Sequence, residues 1–299
     1  MTLKRIRHLG PIPSSGYSVV SHAELPSTNN APPTQVVIKT YMRSDIVRHN
    51  LESCIHAERA ALVLLSNDNT GKVPRLLNAQ ATPTSLSLVM TLAPGVPASA
   101  LPRPLPLNRT SRIARNLLSS LRVIHTAGVV HADVALRNVI VDCDNDDSVC
   151  VVDFGSCFVT GAQARDPSQT TTASVTAPEM LEATVPDPTA DIWALGVFAW
   201  ACMFGGPGPF RAETSAKVLE LVENYATGRF EIIDAFRDAC RTAGVSYDDD
   251  WVHAGDFVSV CLSRLPASRF AKPNSDSKHK DWRYAVDYER ILSHPFLKL

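Results

Sequence analysis

The stretch HADVALRNVIVD, His131 to Asp142, and the VVDFG that follows at Val151 to Gly155 decide how this chain is read. Two β-rich runs, Val139–Val141 and Val149–Val152, flank the turn-forming cluster DCDNDD at 142–147. That pattern predicts a short hairpin. Asp133 and Asn138 lie on the loop before the first run, and Asp153 closes the second. Three hard-oxygen side chains at the ends of two paired strands can converge on one point. Magnesium prefers such ligands, with phosphate and water completing its shell. The acidic turn itself invites a calcium reading, but it lacks the glycine and the spaced glutamate of an EF-hand, so a solvated hairpin tip is expected.

Working outward, Tyr17–Ala23 and Val36–Tyr41 read as strands, and the turn-rich LPSTNNAPPT at 25–34 reads as their long connection. Residues 45–65 predict one helix, with Leu51, Ile55, Leu62 and Leu65 at helical spacing. Ser85–Leu92 is a further strand. The Pro- and Ala-rich APGVPASALPRPLPLN at 93–108 looks like a crossing between two lobes. A helix over 111–126 carries Ile113, Leu117, Leu121 and Ile124 on one stripe. Asp187-Pro188 offers an N-cap and a proline at the first helical position. The helix behind it, to Phe204, is apolar nearly all round and must be buried. Helices at about 213–226 and 254–265 and a polar loop at 272–281 complete the chain. The order is strands with one helix, then mostly helices. It predicts an α+β fold of two lobes, a small mainly β lobe at 1–92 with one key helix and a larger mainly α lobe at 93–299. A ligand belongs in the cleft between them.

Lys39 sits inside the apolar run VVIK, where an unpaired lysine is costly. Glu52 shares a face with Arg48, His56 and Arg59, the wet side of the helix. Glu58 falls between Ile55 and Leu62 on the inward face. A buried Lys39–Glu58 ion pair is one reading. Two snorkelling side chains that never meet is the other.

Apolar residues make up 45% of the 299 and charged residues 20%, a composition that supports a real core. Twenty-nine basic against 30 acidic residues leave a net charge of -1. That balance makes no electrostatic case for nucleic acid or an anionic membrane as partner. Seven cysteines, at 54, 143, 150, 157, 202, 240 and 261, form no CxxC pair and no zinc-spaced cluster. Buried thiols in a reducing compartment are expected. The basic MTLKRIRHLG is followed by no apolar h-region, so no signal peptide is expected. The longest apolar run, Ile192–Phe204, is shorter than the roughly 20 residues of a membrane-spanning helix. A soluble intracellular monomer, cytoplasmic or nuclear, is the expectation.

In this order, the motifs resemble the eukaryotic protein kinase superfamily over nearly the whole chain. VVIK at 36–39 resembles the family's VAIK strand, and HADVALRN at 131–138 its HRDLxxxN loop. DFG at 153–155 and APE at 177–179 match without change. DIWALG at 191–196 matches DxWxxG. LPASRF resembles the segment whose arginine pairs with the APE glutamate, here Arg269 with Glu179, and ILSHPF resembles the closing helix. The resemblance implies a serine/threonine-kinase-like domain over 1–299 that uses ATP and Mg2+ on a protein substrate. It implies that Lys39 holds the α/β-phosphates and Glu58 orients it. Asp133 would accept the substrate proton, and Asn138 and Asp153 would bind magnesium. LVMTLAPG at 88–95 resembles the strand leading to the hinge. That makes Met90 the gatekeeper and the backbone of Thr91 and Ala93 the adenine contacts, with Val20, Val37 and Ile140 lining the pocket.

The chain departs from the family in the phosphate loop and at two positions of the catalytic loop. PSSGYSVV at 13–20 stands where the phosphate loop shows GxGxxGxV. Pro13, Ser15 and Ser18 then take the glycine positions, Gly16 is extra, and Tyr17 is the tip. Ser15, Gly16 and Ser18 remain small enough to approach phosphate, but Pro13 has no amide proton, so altered nucleotide affinity is expected. The HRD arginine is Ala132, which removes the usual grip on a phosphorylated activation segment. The lysine two places after the catalytic aspartate is Ala135. Arg137, four places after, resembles the tyrosine-kinase pattern and is a further catalytic candidate. Thr172, by contrast, matches the serine/threonine class. Two other readings stand beside an active kinase. A pseudokinase scaffold would explain the altered loop and Ala132, and a small-molecule phosphotransferase would generally lack APE, DxWxxG and the pairing arginine.

Overall fold

Alternating side chains along residues 7–42 and 76–91 build a five-stranded antiparallel sheet of order β1-β2-β3-β5-β4. Its strands are β1 (Arg7–Ile12), β2 (Ser18–Leu25), β3 (Thr34–Met42), β4 (Leu76–Ala81) and β5 (Ser85–Thr91). The computed structural model describes residues 6–13, 16–26, 32–161, 172–182, 185–206, 208–226 and 231–299. Val20 pairs with Lys39, Lys39 with Leu88 and Val37 with Met90. Opposed residues of antiparallel strands share a face, so these five look to one side. There Leu88 and Met90 join Leu62 and Leu65 in the main core. Ala23, Val36, Ile38 and Val89 form a second cluster on the opposite face.

The helix expected over 45–65 is two helices, α1 (Arg43–Arg48) and α2 (Glu52–Leu65). Asn50 takes a left-handed φ of 51°, a conformation asparagine tolerates better than most residues. Leu51 N–H returns to Ile46 O at 3.0 Å, and Asn50 N–H to Val47 O at 3.5 Å. That pair of bonds ends α1 as a Schellman turn. Leu51 and Ile55 are nevertheless both buried, as their spacing predicts.

The crossing runs through β6 (Val96–Pro97), which pairs with β8 (Val139–Asp142), itself paired with β9 (Ser148–Val151). Before the hairpin come α3 (Leu107–Thr126) and β7 (Val129–Val130), which pairs with β10 (Phe158–Val159). The hairpin tip is not uniformly solvated. Asp147 is buried, because Arg109 and Arg112 of α3 bind it at 2.8 and 2.5 Å and satisfy its charge. The axis is α4 (Thr189–Phe204), buried from Thr189 to Met203. Pro188 is its N-cap, so the helix starts one position later than expected, and Asp187 Oδ1 accepts from Thr189 N–H at 3.0 Å. Around it lie α5 (Ser215–Ala226), α6 (Ile232–Thr242), α7 (Asp249–Cys261) and α8 (Tyr288–Leu292). The sequence reading did not anticipate α6 and placed α7 about five residues late. Asp248, which caps Trp251 N–H at 3.2 Å, sets the true start of α7. The segment 272–281 is not all loop, since β11 (Ala271–Pro273) pairs with β12 (Tyr284–Val286). Among the described residues, no helix is long and apolar enough to cross a membrane. The small β lobe and larger helical lobe match the expected two-lobed α+β layout.

Candidate active site

The period of β3 turns Lys39 toward α2 while its neighbour Ile38 packs on the far face. Lys39 Nζ donates to Glu58 Oε1 at 2.6 Å and to Asp153 Oδ1 at 2.7 Å. Both Lys39 and Glu58 are buried, so the ion pair forms and the snorkelling alternative does not. Burial alone lowers an ammonium pKa, but Glu58 and Asp153 outweigh it and hold Lys39 well above the usual lysine value. Burial likewise works against the Asp153 carboxylate, and the Lys39 charge overcomes it, bringing Asp153 down to about 2. Asp153 adopts a left-handed φ of 66°, and its Oδ1 also accepts from Gly155 N–H at 3.3 Å. Tyr41, two residues beyond Lys39 on the same face, donates its hydroxyl to Glu58 Oε2 at 2.5 Å.

Asp133 is buried on the loop between β7 and β8. Its Oδ2 accepts from Arg137 Nη2 at 2.7 Å and from Asn138 Nδ2 at 2.9 Å, and its Oδ1 accepts from Thr172 N–H at 3.1 Å. Burial is the largest influence and pushes the Asp133 pKa up, although Arg137 opposes it. Arg137 Nη2 also donates to Thr172 Oγ1 at 2.6 Å. The two residues whose family cues conflict are therefore in direct contact. Ala135, two places after Asp133, is buried and its methyl side chain offers no donor.

The loop is held from beneath. Asp191, at the start of α4, accepts from His131 N–H and Ala132 N–H, both at 2.8 Å. His125 Nε2 lies 2.9 Å from the same carboxylate, and Tyr288 Oη lies 2.6 Å from His125 Nδ1. His131 packs edge-on against Phe154, with ring centroids 5.0 Å apart, and contacts Val152 O at 3.1 Å. Across the lobe, Arg269 makes a bidentate pair with Glu179 at 2.6 and 2.8 Å.

A cleft of about 260 Å³ is lined by Gly16, Ser18, Lys39, Asp133, Arg137 and Asp153, among others. Gly16 has a φ of 105°, a conformation that explains a glycine there. Ser15 lies outside the described residues. Val20, Val37, Thr91, Ala93 and Ile140 are half-buried and Met90 is buried, and none of the six lines this cleft. Ile140 lies opposite Pro97 of the crossing, and Val37 opposite Met90. Thr91 N–H is committed to Arg75 O at 3.0 Å.

The donor set suits a magnesium–nucleotide. Asn138 spends its amide on Asp133, and Asp153 spends Oδ1 on Lys39 and Gly155. Among the described residues, no hydrogen bond engages Asn138 Oδ1 or Asp153 Oδ2. Two hard oxygens are thus uncommitted, the kind of pair magnesium takes together with phosphate.

Two residues escaped the sequence reading. Tyr41 carried a signal, since a residue two places from Lys39 in a strand shares its face. Asp191 stands in the sequence as the first letter of DIWALG, and its contact with the His131–Ala132 backbone comes from a helix sixty residues away.

Residues 16–297 match the model of the protein kinase domain family. A stretch of 147 residues is 33% identical to the human hormonally up-regulated neu tumor-associated kinase, covering 47% of this chain and 20% of that protein. A stretch of 206 residues is 28% identical to serine/threonine-protein kinase PKH3 of Eremothecium gossypii, covering 64% of this chain and 27% of that protein. Mouse serine/threonine-protein kinase 33 is 32% identical over 126 residues, 39% of this chain and 26% of that protein. The matched stretches thus span less than a third of these relatives. With the family model matching nearly its full length and Lys39, Asp133 and Asp153 of its motifs lining one cleft, the chain belongs to the protein kinase domain family.

Proposed function

We propose that this chain, one catalytic domain whose lobes meet after residue 92, transfers the γ-phosphoryl group of ATP to a serine or threonine hydroxyl of a protein. The observation that carries the proposal is the buried Asp133, fixed by Arg137, Asn138 and Thr172 beside the Lys39–Glu58–Asp153 chain of charges. Asp133 takes the proton of the attacking hydroxyl as the new O–P bond forms and the bond to the leaving ADP oxygen breaks. Lys39, with one N–H beyond those given to Glu58 and Asp153, holds the α/β-phosphates. Asn138 and Asp153 hold magnesium, which neutralises the phosphate charge when bound. Ser15, Gly16 and Ser18 cover the phosphates. Met90, Val20, Val37 and Ile140 frame the adenine, with the Ala93 backbone and the Thr91 carbonyl as its polar edge. Arg137 donates toward the transferring group from the place where Ala135 offers nothing. The Arg137–Thr172 bond supports serine or threonine as acceptor, as do the names of two relatives, both serine/threonine-protein kinases.

The test is purified protein with labelled ATP, magnesium and a generic protein substrate, beside Asp133→Ala, with the phosphoamino acid resolved. Transfer to serine or threonine is expected, falling in the variant by roughly 10²–10⁴-fold, the range of a lost general base. Absence of transfer in the wild type, with nucleotide still raising the melting temperature, would move the conclusion to a nucleotide-binding scaffold.

A further inference from the structure

Glu58 has two carboxylate oxygens in a side chain that is 1% exposed, and they take two different donors. Oε1 accepts from Lys39 and Oε2 from the Tyr41 hydroxyl. Both donors leave β3 two residues apart on one face, so α2 is registered on β3 at two points rather than one. The Tyr41 ring is buried, and the Lys39 ammonium lies 5.4 Å from its centroid. The hydroxyl also reaches the turn after Asp153, where a Cβ built on Gly155 would lie 4.0 Å from it.

We propose that Tyr41 is a positioning residue for phosphoryl transfer, holding Glu58 inward so that one Lys39 can serve Glu58, Asp153 and nucleotide at once; the proposal rests on the phosphotransferase reading above. Without the hydroxyl, Glu58 Oε2 is a buried, unsatisfied acceptor. It then has two ways to recover a donor. Glu58 turns outward and carries the start of α2 with it, or both of its oxygens close on Lys39 and draw the ammonium from Asp153. Either movement spoils the alignment of Lys39 with phosphate. Burial and the Glu58 charge push the phenol pKa up, so Tyr41 remains a donor at neutral pH. The arrangement also gives α2 an inward anchor that does not depend on the activation segment. That anchor matters in a chain where Ala132 replaces the arginine that would grip a phosphate there.

The experiment combines Tyr41→Phe, which deletes one oxygen and leaves the ring, with Glu58→Gln and the double variant. Turnover is measured on a generic protein substrate. In parallel, spin labels at exposed Arg59 on α2 and exposed Val252 on α7 report their separation. Tyr41→Phe is expected to lower kcat by about ten- to a hundredfold, the span of a lost hydrogen bond to a charged group, with the KM for protein substrate unchanged. In the Glu58→Gln background the same change is expected to cost little more, because its route runs through Glu58. The label distance should broaden outward in Tyr41→Phe. Unchanged turnover with an unchanged distance overturns the proposal. So do losses that simply multiply in the double variant, since those mark packing alone. If the wild type transfers no phosphate the phosphotransferase reading fails, and the label distance alone decides whether Tyr41 holds α2.

Discussion

Ala132 has a positive φ of 61° although it carries a Cβ, a conformation that persists only where surroundings enforce it. Asp191 supplies the enforcement by accepting the N–H of Ala132 and of His131. The loop that carries Asp133 is thus fixed by a buried carboxylate. Since no arginine stands at 132, we expect turnover to be independent of phosphate on the activation segment. Thr172 Oγ1 is taken by Arg137, while Thr170 and Thr171 lie outside the described residues. Phosphatase treatment should leave the rate unchanged, and a large loss mapped to these threonines would refute that expectation. As the proposed general base, Asp133 would set the acid limb of activity. Its burial raises its pKa, and the protonated form cannot accept a proton. The fall in kcat/KM on acidification should therefore centre above the ordinary carboxylate value of about 4, and a pH-rate profile checks this.

At the scale of elements, α4 is buried almost throughout, and its approach to α7 depends on one small residue. A Cβ on Gly196 would lie 2.7 Å from Cys261 Cβ. Gly196→Val should cost about 1–3 kcal/mol of stability by overpacking, read as a lower denaturation midpoint. The break between α1 and α2 has the opposite character. It is a local turn closed by backbone hydrogen bonds, and it leaves α2 free to take the angle that Glu58 requires. The stack of Tyr17 on His49, with ring centroids 3.9 Å apart, ties the residue before β2 to that same break.

Across the whole molecule, the helical lobe is tied together by Arg269, which is fully buried. It bonds Glu179 twice, lies 5.0 Å from the Trp193 ring centroid and donates to Ser263 O at 2.6 Å. Arg269→Ala removes the bidentate bond to Glu179 and opens a void beside Trp193. The loss should be roughly 3–5 kcal/mol, measured by chemical denaturation. Glu179 follows directly on the segment that carries Thr172, so the same variant should also reduce turnover at temperatures where it remains folded.

The fold class and most of the site were legible because each motif is local. HADVALRN, DFG and VVIK place their side chains by strand period and short loops, and Glu58 followed from helical spacing. Other features were not legible. The start of α2 depends on Asn50, whose left-handed turn competes with a continuous apolar stripe that fits one helix equally well. The burial of Asp147 depends on two arginines of α3, so an acidic turn that looks solvated becomes an anchored one. The roles of Tyr41 and Asp191 depend on which partner arrives across the lobe. By itself the sequence determined which chemistry the chain carries, because residue type and local spacing set that. Only the tertiary structure decided how each charge is satisfied, because a buried group takes its donor from whichever element packs beside it.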